Sequence, residues 1–151
     1  MRDSMPILLV DDDSTDVILF QRALEHLQIT NPVIRSTNCK EALEYLENQY
    51  NEKPWIVITD LNTAEMNGFE FLRTVKAHEA LRQTIIIVLS GSSDERDIAE
   101  SFKLGAAGYM VKPFDYEQLV EMIRVIHAYW TLSERPHASV ISQLDRPSPL
   151  Q

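Results

Sequence analysis

Four aliphatic residues, Ile7 to Val10, run straight into Asp11, Asp12 and Asp13. Two carboxylates about 4 Å apart repel by roughly 1 kcal/mol in water and roughly 4 at an effective dielectric near 20. Such a cluster costs stability unless a cation or a proton neutralises it. Three later apolar runs also end in chemically unusual residues: "WIVIT" in Asp60, "IIIVL" in Ser90-Gly91, and "GYMV" in Lys112-Pro113. Singly, an Asp after a strand is a turn residue and a Lys is a solvated charge. Together at one edge of a fold they make a site. Mg²⁺ takes oxygen donors, typically one or two carboxylates plus waters. Asp11, Asp12 and Asp60 bring three negative charges; Mg²⁺ and Lys112 bring three positive ones, which leaves room for a further anion. A phosphoryl group has oxygens for the cation, the Lys112 ammonium and the Ser90 hydroxyl together. One of the carboxylates, attacking phosphorus, would become an acyl phosphate. No His or Cys lies close to these positions to suggest zinc.

These residues can meet only if the elements that carry them are arranged in one way. Five short apolar or β-branched runs are visible: "ILLV" from Ile7, "PVIRS" from Pro32, "WIVIT" from Trp55, "TIIIVL" from Thr84 and "GYMV" from Gly108. Three lack alternation, as parallel strands covered on both faces do. Between the runs lie stretches of helical period, such as Val17, Phe20, Leu24 and Leu27, then Ala42, Leu43 and Leu46. Asn38 with Glu41 resembles a capping box, and Asn67-Gly68 is a turn signal. Strands alternating with helices predict an α/β fold, a five-stranded parallel sheet doubly wound with helices on both faces. In such a sheet ligands bind outside the carboxyl ends of the strands, beside the topological switch point.

The totals bound the rest. The chain's 151 residues suit one domain with a single core. A formal net charge of -9, with no Lys/Arg-rich run, opposes binding to nucleic acid or an anionic membrane. Cys39 is the single cysteine, so no intrachain disulfide can form and a reducing, cytoplasmic setting is expected. No signal-peptide core is read, and the longest aliphatic run, "IIIVL", is far short of a membrane span. His26, His78, His127 and His137 read as solvated or packed helix residues. Residues 5–132 are expected to form the domain. Residues 133–151, with three prolines and no clean period, are expected to be a loosely docked or disordered tail.

The stretches "LLVDDD", "ITDLNTAEMNGFEFL", "IIVLSGSS" and "GAAGYMVKPF" resemble the receiver domain of bacterial two-component response regulators, including chemotaxis-type single-domain receivers. The resemblance runs from about Ile7 to Leu132. It implies a flavodoxin-like (βα)5 fold with strand order 2-1-3-4-5, and a histidine kinase or phosphotransfer protein as donor. It implies that Asp60 is the phosphoacceptor, that Asp11, Asp12, Asp60 and the Asn62 backbone carbonyl hold Mg²⁺, and that Lys112 pairs with the phosphoryl group. Ser90 would be the switch hydroxyl, Tyr109 the aromatic switch, and Gly91 the small residue leaving room for phosphoryl oxygens. The signal would leave by the face of the fourth helix, fifth strand and fifth helix. Asp13 falls outside the metal pair and is read as an N-cap, with Asp16 favourable to the dipole of the first turn. Two departures stand out: Thr63-Ala64 occupy the place of the family's usual Met-Pro, which puts the order of that loop in question, and Ser90 replaces the commoner Thr.

The last helix carries two stripes. Tyr116, Leu119, Ile123, Ile126 and Trp130 share the expected core side, while Met122, Val125, Tyr129 and Leu132 follow the 3-4-3 rhythm of a helix pair. The second stripe is either a homodimer contact or a surface covered by the tail or a neighbouring helix. "YWTLSERP" resembles receivers that partner bacterial phytochromes and dimerise through the last strand and helix. The alternative function is an enzyme: "LLVDDDST" also matches a haloacid dehalogenase-type phosphohydrolase signature, with Asp11 as nucleophile and Asp13 as general acid/base. Against it, no acidic pair follows Lys112 and Asp60 would have no role.

Overall fold

The computed structural model describes residues 2–135 together with 141, 143 and 144. Its centre is the set of short apolar runs. They form β1 (Ile7–Val10), β2 (Val33–Ser36), β3 (Ile56–Thr59), β4 (Ile86–Ser90) and β5 (Gly108–Val111), paired in parallel in the order β2-β1-β3-β4-β5. Every residue of β1 and β3 is buried, which accounts for the lack of alternation in their sequences. Side chains nevertheless alternate between two cores. Leu8, Val10, Val57, Ile86 and Val88 face one side; Ile7, Leu9, Ile56, Ile58 and Ile87 face the other.

Among the described residues five helices cover the sheet: α1 (Ser14–His26), α2 (Cys39–Glu47), α3 (Gly68–Ala77), α4 (Glu95–Lys103) and α5 (Tyr116–Leu132). Val17, Phe20 and Leu24 of α1 and Ile123 and Ile126 of α5 fill one core, while Cys39 and Ala42 of α2 and Phe71, Leu72 and Val75 of α3 fill the other. Each fully buried side chain of the size of Phe71 or Leu72 contributes about 1.5–3 kcal/mol. Every one of these helices starts on an Asp or Asn whose side chain accepts a backbone N–H: Asp13, Asn38, Asn67, Asp94 and Asp115. Such a cap is worth about 1 kcal/mol. At Asn38 the capping box is shifted by one residue. Glu41 reaches back to the Thr37 hydroxyl at 2.7 Å and the Thr37 N–H at 3.4 Å.

Ser90 is the last residue of β4 and not the first beyond it, because the ladder continues: Ser90 pairs with Val111, and the Lys112 N–H donates to the Ser90 carbonyl at 2.7 Å. On α5 the expected core stripe is inward, Ile123 and Ile126 buried and Tyr116, Leu119 and Trp130 packed against them. Met122 joins that core in part. Val125, Tyr129 and Leu132 are 46%, 61% and 82% exposed. A 3-10 turn over Arg2–Ser4 brings the Arg2 guanidinium to the Trp130 and Thr131 carbonyls, where the end of α5 leaves acceptors free. Among the described residues no helix is long and apolar enough to cross a membrane. Most of the tail expected from 133 onward lies outside the described residues.

Candidate functional site

In this strand order the chain leaves β1 for one side of the sheet and returns on the other to β3, so the carboxyl ends of β1 and β3 border the switch point. Val10 pairs with Thr59, and the Asp60 N–H donates to the Val10 carbonyl at 3.1 Å. Asp11 and Asp60 therefore emerge side by side. Lys112, at the end of β5, closes the group. Its ammonium lies 2.9 Å from Asp60 Oδ2, 3.0 Å from Asp16 Oδ2 and 3.4 Å from Asp11 Oδ2. Burial alone would lower the Lys112 pKa, yet the hydrogen bonds of Asp60 and Asp16 and the charges of Asp60 and Asp11 outweigh it and hold the ammonium above its ordinary value.

The two central carboxylates differ. The Asp11 side chain is only 6% exposed, and its Oδ1 accepts the Asp13 N–H at 2.9 Å. Burial pushes its carboxyl above the usual range, against the pull of the Asp13 N–H and Lys112, with the Asp16 and Asp60 charges adding to the rise. The Asp60 side chain is 14% exposed, and its Oδ1 receives a long 3.3 Å contact from the Asn62 N–H. Asp60 is thus the carboxylate with a less committed oxygen and more access from outside. Gly68 explains how its loop is held. A Cβ there would stand 2.8 Å from the Leu61 Cα, and the Gly68 N–H donates to the Leu61 carbonyl at 2.7 Å. Only glycine lets α3 start this close to the Asp60–Leu61 backbone.

Ser90 is fully buried, and its hydroxyl accepts the Ser92 N–H at 3.1 Å. The Tyr109 hydroxyl donates to the Ser92 carbonyl at 2.8 Å. Both expected switch side chains are thereby tied to one residue of the β4–α4 loop, whose own hydroxyl donates to Asp97 Oδ2 at 2.6 Å. Gly91 is exposed, with nothing within 4 Å of the place a Cβ would take.

Asp11, Asp60, Lys112 and Ser90 lie at one rim of the sheet, as expected. Asp12 and Asn62 sit in the same loops but are exposed. Asp13 caps α1, its Oδ1 accepting the Thr15 N–H at 2.8 Å and the Asp16 N–H at 3.4 Å. Among the described residues no group of three or more His, Cys, Asp or Glu side chains is arranged to hold a metal ion by itself. The donor set still fits a hard cation. Asp11, Asp12 and Asp60 are oxygen donors beside a single ammonium, and Mg²⁺ needs few protein ligands because it keeps several waters. Three contacts were missed from the sequence. Asp16 reaches Lys112 besides facing the helix dipole, and its place in the first turn of α1 was the available signal. Arg35 Nε and Nη2 donate to the Asp11 carbonyl at 3.4 and 3.3 Å. Ser92 joins Ser90 to Tyr109; nothing in its local sequence marks it.

Residues 7–124 match the response regulator receiver domain family. The chain is 30% identical over 122 residues to the chemotaxis protein CheY1 of Helicobacter pylori, covering 81% of this chain and 96% of that one. The phosphorylated cyanobacterial phytochrome response regulator RcpA superposes with a TM-score of 0.79 at 28% identity, covering 89% and 99% of the two chains. The Mn(2+)-bound response regulator Rcp1 also gives 0.79, at 27% identity and 88% and 99% coverage. The phosphohydrolase alternative is not supported: the matches are to receivers, and Asp13, its acid/base, is spent on capping a helix. The fold, the paired aspartates beneath Lys112 and the family match agree that this chain belongs to the response regulator receiver family, signalling proteins of two-component phosphorelay systems.

Proposed function

We propose that Asp60 accepts a phosphoryl group from a histidine kinase or phosphotransfer protein. The observation that carries this reading is the Lys112 bridge to Asp60 and Asp11, with Asp60 the more accessible of the two carboxylates. An Asp60 carboxylate oxygen attacks phosphorus, the bond from phosphorus to the donor's imidazole nitrogen breaks, and the electron pair leaves with the imidazole. The Lys112 ammonium, 2.9 Å from Asp60, would pair with the incoming phosphoryl oxygens. Asp11, Asp12, Asp60 and the Asn62 carbonyl would hold Mg²⁺, which when bound offsets the charge building on the transferred group. The Mn(2+) of the similar Rcp1 structure supports a divalent ion of this kind.

A bound phosphoryl group supplies acceptors that compete with the Ser92 N–H for Ser90, and movement of Ser92 reaches Tyr109 through its carbonyl. This is a two-state element biased by local charge, with output through α4, β5 and α5. The donor would dock at the mouth of the site. Beside it a cleft of about 120 Å³ is lined by Asp11, Asp16, Lys112 and Phe114 and not by Asp60, and Ile18 and Phe114 stand 54% and 100% exposed.

The experiment is to incubate the protein with Mg²⁺ and acetyl phosphate, trap the acyl phosphate with borohydride and map it by mass spectrometry. Label at Asp60 is expected; label at Asp11 overturns the assignment. A second reading concerns Val125, Tyr129 and Leu132, whose exposure, beside the partly buried Met122, favours pairing with a second copy. Charged residues at 125 and 129 should then yield a monomer by light scattering, and an unchanged mass would remove the proposal.

A further inference from the structure

The loop after Asp60 lacks the proline that stiffens it in the resembling family, yet it is held. The Thr63 hydroxyl donates to the Met66 carbonyl at 2.6 Å and accepts the Cys39 N–H at 3.1 Å. Cys39 is the first residue of α2, where a backbone N–H has no helical partner. Its side chain is fully buried, and its sulfur lies 3.5 Å from the Thr59 hydroxyl, which donates to the Asp60 carbonyl at 2.9 Å. Cys39 is therefore tied to the acceptor loop on both sides of Asp60. The turn itself runs through Glu65 at a φ of 68°, a left-handed conformation that a non-glycine residue holds only when its surroundings enforce it. Lys40 adds an exposed ion pair to Glu65 at 3.6 Å, worth little alone.

We infer that Thr63 is a positioning residue for phosphoryl transfer: its hydroxyl does by hydrogen bonding what a proline does by ring closure, and couples α2 to the loop carrying Asp60 and Asn62. The chemistry needs that loop fixed. Asn62 directly follows the Asp60–Leu61 pair, and a turn that frays moves both the acceptor and the expected carbonyl ligand. A threonine suits the task because one hydroxyl donates and accepts at once. Valine keeps its shape and loses both bonds. The inference rests on the proposed role of Asp60.

The test compares the wild type with Thr63→Val and Thr63→Ser by two readouts. The first is the labelling rate of Cys39, the chain's single cysteine, by a thiol reagent in the unphosphorylated protein. Losing a hydrogen bond at an otherwise intact site should speed labelling about fivefold to tenfold in Thr63→Val, with Thr63→Ser near wild type. The second is phosphorylation by acetyl phosphate across a Mg²⁺ titration. Thr63→Val should need about fivefold more Mg²⁺ for half-maximal rate, with the maximal rate changed less, and Thr63→Ser should restore it. Unchanged labelling in Thr63→Val, or failure of serine to restore either readout, overturns the inference. If the wild type forms no acyl phosphate at Asp60, the site reading fails and the positioning role fails with it. The labelling experiment would then report the hydroxyl bridge alone.

Discussion

Replacing Lys112 with methionine removes the one ammonium that three carboxylates share. At an effective dielectric near 20, contacts of 2.9, 3.0 and 3.4 Å are each worth about 5 kcal/mol of gross attraction. Most of that is cancelled by desolvation, and removing one partner of a buried pair costs about 3–5 kcal/mol. Lys112 keeps a quarter of its side chain exposed and Asp16 39%, so solvent screens part of the loss. We expect Lys112→Met to lower stability by about 2 kcal/mol in EDTA. In urea that moves the midpoint down by about 1 M. The cause is repulsion between Asp11 and Asp60, so Asp60→Asn in the Lys112→Met background should recover stability. Mg²⁺ should narrow the gap, since a ligand at 100 times its Kd stabilises by about 2.7 kcal/mol and in the variant no ammonium competes for the carboxylates. Urea unfolding of the wild type and both variants, with and without Mg²⁺, tests the whole chain of reasoning. A Lys112→Met protein as stable as wild type in EDTA refutes it.

Three further outcomes are expected. Gly68→Ala drives a Cβ to 2.8 Å from the Leu61 Cα, and should cost about 1–3 kcal/mol and slow phosphorylation at Asp60, measured by denaturation and by acetyl phosphate labelling. Asp13→Ala removes the α1 cap and should cost about 1 kcal/mol while leaving the labelled residue unchanged. His127, whose ring meets Trp55 edge-on at 5.5 Å, has its pKa lowered from 6.5 by burial. The unfolded chain therefore binds more protons below that value, so this contribution to stability is complete above pH 6.5 and is lost as pH falls through the folded pKa. His127→Gln should flatten the fall, read by denaturation between pH 5 and 7 on the order of the window in which histidine titrates.

What the sequence determined by itself was local or periodic. The unbroken apolar runs dictated parallel strands buried on both faces, the helical spacing of Val17, Phe20 and Leu24 marked a core face, and Asp13 and Asn38 announced helix starts. Because every parallel strand points its carboxyl end the same way, the rim holding Asp11, Asp60, Ser90 and Lys112 followed from that reading. Tertiary structure decided what depends on distance across the sheet. Asp11 and Asp60 look alike in sequence, but burial and the Asp13 N–H commit one of them and leave the other reachable. Asp16 meets Lys112 across 96 residues of chain, and Thr63 meets the start of α2 across 24. The replaced Met-Pro raised doubt about the loop, since a local rule sees the lost ring and not the hydroxyl bonds that substitute for it. Hydrogen bonds between distant segments leave no period in a sequence; they exist only once packing has brought their donors and acceptors within about 3 Å.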